Sequence, residues 1–214
     1  MHTETTLPAV QFDGDDSATQ LIRGAILKCV DANWSAKNNA ILHPEHQYYC
    51  LGTTQALQCR RDGMLSDTIM KVPGAALPNV DELNAKILQS SWEKGLDGKP
   101  RPPWQHMWVA YLVRVSDAAA FTYLNSTWGA RIAVGQLTDQ VKHMCALRGV
   151  NVVPVVKLSS APMATNFGQK MRPHFEIVDW RELSSGQPVQ IEAKAVGKPA
   201  PVTTTEELDD SIPF

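Results

Sequence analysis

The chain has 214 residues, 43% of them hydrophobic and 20% charged, with a formal net charge of −2. That length and balance describe a globular protein with one sizeable domain, or one domain with extensions. No apolar run reaches the ~18 residues of a transmembrane helix, and the opening His2-Thr3-Glu4 lacks a basic-then-apolar leader, so a cytoplasmic protein that does not engage membranes is expected.

Residues 1–19 are polar, include Asp13-Gly14-Asp15-Asp16, and read as a flexible arm. A single globular domain is expected over 20–183. Within it, residues 20–34 read as a strand pair rather than a short helix, because Gly24 and the Asp31-Ala32-Asn33 turn signal favour strand. Residues 47–59 look extended, and Arg60-Arg61-Asp62-Gly63 offers a hairpin turn into a strand over 64–72. A long irregular insertion follows from Pro73 to Pro103, with a helical turn or two over 80–89 capped by Asn79 or Asp81. Such a long loop inside a compact domain is more often functional than idle.

Residues 107–115 alternate as a strand. Met107, Val109, Tyr111, Val113 and Val115 make one apolar face, which assigns Tyr111 to the core, and Trp108, Ala110, Leu112 and Arg114 share the other. Ser116-Asp117-Ala118 then turns the chain into a strand over 121–125. Residues 135–148 read as a helix, with Leu137, Val141, Met144 and Cys145 on one stripe and Gly149 placed to end it. Strands over 151–158 and 174–182 follow, and Pro154 implies an edge position or a bulge in the first. Residues 184–205, rich in Gly, Pro and Thr, form a flexible linker to a tip over 206–214.

The predicted fold class is mainly β with one α-helix. An oligonucleotide-binding (OB) barrel has five strands with its helix between the third and fourth. Strands over 47–59, 107–115, 121–125, 151–158 and 174–182 fit that order. The expectation is an OB-like five-stranded barrel with an N-terminal extension, a long inserted loop and a disordered C-terminal tail. Pattern alone carries this reading.

The tip reads Glu206-Glu207-Leu208-Asp209-Asp210-Ser211-Ile212-Pro213-Phe214. Its carboxylates can steer the segment to a basic surface, while Ile212-Pro213-Phe214 can enter a small pocket. This tip resembles the acidic C-terminus of bacterial single-stranded DNA-binding proteins, which ends in Asp-Asp-x-Ile-Pro-Phe. The resemblance implies that Asp209, Asp210, Ile212, Pro213 and Phe214 dock replication, recombination or repair proteins. Proteins with such a tip are commonly dimers or tetramers, so a homo-oligomer is a further expectation.

Charge distribution points the same way. Residues 86–181 hold twelve Lys/Arg against six Asp/Glu, whereas the segments on either side are each net −4. Seven of the fifteen aromatic residues fall within 92–128 of this basic middle. Single strands are held by rings that stack on bases and cations that track phosphates. The candidate DNA-binding residues are therefore Trp92, Lys94, Lys99, Arg101 and Trp104 in the insertion, Trp108 and Arg114 on the non-valine strand face, and Arg131. A second basic loop over 166–173 adds Phe167, Lys170 and Arg172, since the connection between the last two strands of an OB barrel lines its ligand groove.

Catalytic motifs are missing: the sequence has no phosphate-binding Gly-x-x-x-x-Gly-Lys loop, no Gly-x-Gly-x-x-Gly and no His-Glu-x-x-His. His43, His46, Cys50 and Cys59 match no zinc spacing, so neither metal nor cofactor is expected. Cys29, Cys50, Cys59 and Cys145 are widely spaced, which fits reduced thiols. The sequence reading is a non-enzymatic single-stranded DNA-binding protein that recruits partners through its tip. The alternatives are a metal-dependent repair nuclease bearing the same tail, or an adaptor that binds only protein.

Overall fold

A computed structural model describes residues 21–36, 40–95, 98–149, 151–165 and 168–182. The expected arm, the linker, the docking tip and Phe167 lie outside the described residues. The fold is mainly β, an eight-stranded sheet curled into a half-barrel around one long helix.

Two short strands open it, β1 (Ala25–Val30) and β2 (Asn33–Ser35), joined by Asp31 and Ala32 at positive φ. That is the tight hairpin geometry that matches strand twist. Gly24 precedes β1 at φ +69°, and a Cβ there would sit 1.9 Å from the Ala120 carbonyl oxygen, so only glycine fits. Next come β3 (Gln47–Arg61) and β4 (Met64–Met70), with Asp62 and Gly63 both left-handed in the turn that the sequence marks.

The insertion folds rather than wandering. Helix α1 (Val80–Ala85) is capped by the Asn79 side chain, which accepts from the Asp81 amide. A 3-10 turn (Gln89–Ser91) leads to a small hairpin of β5 (Glu93–Lys94) and β6 (Pro100–Arg101). Strands β7 (Trp104–Arg114) and β8 (Ala120–Asn125) follow, then α2 (Trp128–Arg148), β9 (Val152–Thr165) and β10 (Gly168–Glu182). The sheet order is β10-β9-β3-β7-β8-β1-β2, with β4 on β3. All described neighbours are antiparallel except β1 with β8.

Three elements differ from expectation. The helix begins at Trp128, seven residues before the expected start, because Thr127 caps it and accepts from the Ala130 amide. Gly135 therefore sits inside the helix instead of opening it. The inward side is its first half, Gly129, Ala130, Ala133, Val134 and Leu137, whose small residues allow close approach. Strands β9 and β10 are also longer, so the expected basic loop is mostly paired hairpin. Pro154 sits beside the irregularity at Ile177/Asp179 of β10, just before the short stretch where β9 pairs with β3.

The main core lies inside the curl. Trp34 packs against Tyr123 and Phe175 with centroids 5.4 and 5.6 Å apart, and its indole N–H donates to the Ser159 carbonyl at 2.7 Å. Trp34 thus ties β2, at one end of the sheet, to β9 near the other. Leu27, Tyr48, Ala110, Leu112 and Val156 complete this core with α2. A second cluster packs Leu57, Cys59 and Trp104 under α1. A third, on the outer face of the sheet, holds Leu21, Ala56, Met107 and Val109. No helix among the described residues is long and apolar enough to cross a membrane.

Candidate nucleic-acid interface

The even positions of β7 point into the curl and the odd positions point out. Ala110 and Leu112 belong to the main core and Trp104 to the cluster under α1, whereas Met107 and Val109 belong to the outer cluster. This corrects the expectation that the Trp108–Arg114 face is the open one. Tyr111, assigned to the core, packs half-buried against this outer cluster: its hydroxyl donates to the Leu21 carbonyl and Arg23 covers its ring.

At the rim of the inner face the rings and cations do assemble. His106 stacks on Trp108, with centroids 4.7 Å apart and planes 3° from parallel. The Arg131 guanidinium lies 5.8 Å from the Trp108 centroid and 4.6 Å from that of Trp128. The order is His106, Trp108, Arg131, Trp128, ending on a Trp128 ring that is 60% exposed. Helical spacing explains the last contact, since residues three apart share a face and Trp128 and Arg131 sit in the first turn of α2. The ladder continues toward β10. A Cβ on Gly129 would lie 2.9 Å from the Arg172 Cβ, and Arg172 Nη2 donates to Gln136 Oε1 across the same helix. Trp108, Arg131 and Arg172, far apart in sequence, are thus brought together around the start of α2.

Other sequence candidates separate by environment. Lys94, Lys99 and Arg101 are exposed on the β5–β6 hairpin, and Lys170 is exposed near the β9–β10 turn. Trp92 is half-buried and its indole N–H donates to the Ile87 carbonyl at 3.3 Å, pinning the insertion. Trp104 is buried, and its backbone N–H and C=O are both bound by the Asn84 carboxamide. It anchors the insertion and has no face to offer a base. Arg114 pairs with Asp117 at 2.8 and 2.6 Å and covers the Phe121 ring. It lies six positions along the strand from Trp108, about 20 Å, so it stands apart from the ladder. Its guanidinium holds the Asp117 carboxyl down to about 2.

Burial, then the charges of Arg131 and Lys71, lower the His106 pKa from its ordinary value, so the ring stacked on Trp108 is held neutral. His174 is lowered the same way, by burial and then by Arg172. Burial pushes the Cys50 thiol up to about 12, so it is a poor thiolate ligand. No group of three or more His, Cys, Asp or Glu is placed to hold a metal among the described residues.

Sequence reasoning missed Trp128 as a site residue and missed Arg60. The signal for Trp128 was its spacing of three from Arg131, which becomes readable once Thr127 is recognised as the cap. Arg60 was absorbed into a turn motif, yet it lines a cavity of about 210 Å³ on the outer face together with Arg101, Gln105 and Ser126. Ser126 is two residues from Trp128, at most about 7 Å along the chain. Comparison with family models, curated proteins and solved structures finds no match for this chain.

Proposed function

We propose that this protein binds single-stranded DNA without catalysing a reaction on it, and that its acidic tip recruits replication, recombination or repair proteins. The observation that carries the reading is the ladder ending on Trp128. An exposed indole backed by a guanidinium is a platform for a base, and stacking on such a ring contributes about 1–3 kcal/mol per base. Arg172 and Lys170 on one side, and Lys94 and Lys99 on the other, supply cations for the backbone.

The sheet order supports the same conclusion. Strands β3, β7, β8, β9 and β10, with α2 between β8 and β9, follow the strand and helix order of an OB barrel. Ligands of that fold lie across its second and third strands and the loops flanking them. On this reading β7 and β8 would take those positions, with the insertion as the first loop and the β9–β10 connection as the second, although β1 rather than β10 lies on the far edge of β8. The strands β1, β2 and β4 are additions to that plan.

Fluorescence anisotropy of a labelled single strand and of its duplex, with the full-length protein, tests the reading. Preferential binding of the single strand is expected, with loss of affinity in Trp128→Ala and no cleavage in Mg²⁺. Equal binding of duplex, or none of either, overturns it, and metal-dependent cleavage favours the nuclease instead. For the tip, pull-down of replication or repair proteins is expected to vanish when residues 206–214 are deleted.

A further inference from the structure

The outer-face cavity is not explained by stacking and phosphate contacts. Its apolar wall is Met107 and Leu124, and its polar wall is Gln58, Arg60, Arg101 and Asn125. Gln58 is only 3% exposed, yet its carboxamide makes no hydrogen bond among the described residues. Gln58 lines the cavity, so its polar end is open there to a group that arrives from outside. The Arg60 guanidinium, at the mouth, likewise has no side-chain partner among the described residues.

Other polar groups in the cavity are already committed. Gln105 Oε1 accepts from Arg101 Nη2 and from Ser126 Oγ, both at 3.1 Å, and Asn125 Oδ1 accepts from the Thr127 amide at 2.9 Å. What is left uncommitted is the Gln58 carboxamide, the Asn125 amide nitrogen and the Arg60 guanidinium, in front of two apolar side chains.

Two ligand chemistries suit arginines, a phosphate and the edge of a base. Glu93 decides between them. It lines the adjoining recess with Arg60 and Arg101, fixed there because its Oε1 accepts the Gly63 amide at 2.6 Å. A carboxylate beside the arginines repels a phosphate and leaves them to bind a neutral edge. Arginine pairs with N7 and O6 of guanine, and Gln or Asn with N7 and N6 of adenine. The acceptor common to both pairings is N7, which pyrimidines lack.

We infer that this cavity takes one purine base of the bound strand, edge first, with Arg60 and Gln58 reading its N7 side and Met107 and Leu124 against its plane. The inference rests on the single-strand reading above and adds to it a base preference and a fixed register. The cavity is smaller than the roughly 300–1,000 Å³ of sites that enclose drug-sized molecules, which suits one planar base and not a longer segment.

The test uses the full-length protein and four labelled strands: all-dT, dT with one central dA, dT with one central dG, and dT with one central abasic residue. A single purine is expected to tighten binding by about five- to tenfold over all-dT, within the range of one bidentate base contact. The abasic strand should bind no better than all-dT. In Gln58→Met the purine gain should disappear while all-dT affinity stays within about twofold; in Arg60→Met the purine gain should disappear as well, and because Arg60 is exposed that variant does not depend on core packing. A wild-type protein that binds all four strands equally overturns the purine site and leaves the single-strand reading standing. So does a gain that survives both substitutions. An abasic strand bound as tightly as the purine strands identifies a phosphate site instead and overturns the inference. Failure to bind any strand overturns both.

Discussion

The two faces of β7 both carry apolar side chains but use them differently. Inside the curl, Trp104, Trp108, Ala110 and Leu112 pack against helices and neighbouring strands, and only at the rim does a ring reach solvent, through Arg131 to Trp128. Outside, Met107 and Leu124 floor a cavity whose walls hold uncommitted polar groups. On the proposed function, the binding surface is marked by an exposed ring and by uncommitted polar groups facing a cavity, not by aromatic richness.

Substitutions on the inner side should cost stability, and those at the rim should cost binding. The largest effect is expected from Trp34→Ala, which removes the ring that ties β2 to β9. A loss of about 3–5 kcal/mol is expected by chemical denaturation, and a loss below 1 kcal/mol would show that the curl does not depend on it. Gly24→Ala should follow, at roughly 1–3 kcal/mol from backbone strain alone, because its Cβ has no room beside Ala120.

Trp128→Ala inverts the pattern. Single-strand affinity should fall by about 1–3 kcal/mol while the unfolding free energy changes by no more than about 0.5 kcal/mol, as for an ordinary surface site. If instead stability drops and affinity holds, Trp128 belongs with the packing residues.

Acid should act through the half-buried rings of His106 and His174. Both folded-state pKa values lie below the ordinary 6.5, so above that value neither state binds the proton and stability is fully present. As pH falls below 6.5 the unfolded chain takes up protons first, and stability declines until the folded pKa values are passed. His106→Gln together with His174→Gln should flatten that decline in denaturation curves between pH 7 and 5; an unchanged slope would assign it to other groups.

The smallest effect concerns Tyr123, fully buried with a hydroxyl that has no partner among the described residues. Tyr123→Phe should be neutral or up to about 1 kcal/mol stabilising. A clear destabilisation would mean that the hydroxyl is hydrogen-bonded in solution.

Much of the fold was legible because its signals are local. The Asp62-Gly63 turn, the alternation of β7, the Asn79 cap and the Gly149 stop each need only a few neighbouring residues. The helix start was misplaced at Gly135, which lies within the helix, because the Thr127 cap was not recognised. Alternation revealed that β7 has two faces but not which one faces in, since Trp108 and Met107 are both plausible core residues by type. That choice is set by the curl, which depends on β3 pairing with both β7 and β9. The ladder was half legible: Trp108, Arg131 and Arg172 were candidates, but their convergence is tertiary. The Gln58 cavity left no trace in sequence, because a lone glutamine in a strand looks like any solvated residue.

On the proposed function, unpaired DNA stacks on this protein where cations also hold its backbone. Tryptophan emission followed during titration with a dT oligonucleotide, at two salt concentrations and with Trp128→Phe alongside, tests it most directly. Quenching is expected in the wild type, weakened by added salt as counterion release requires, and much reduced in the variant. Unchanged emission at low salt, or quenching identical in both proteins, would contradict it.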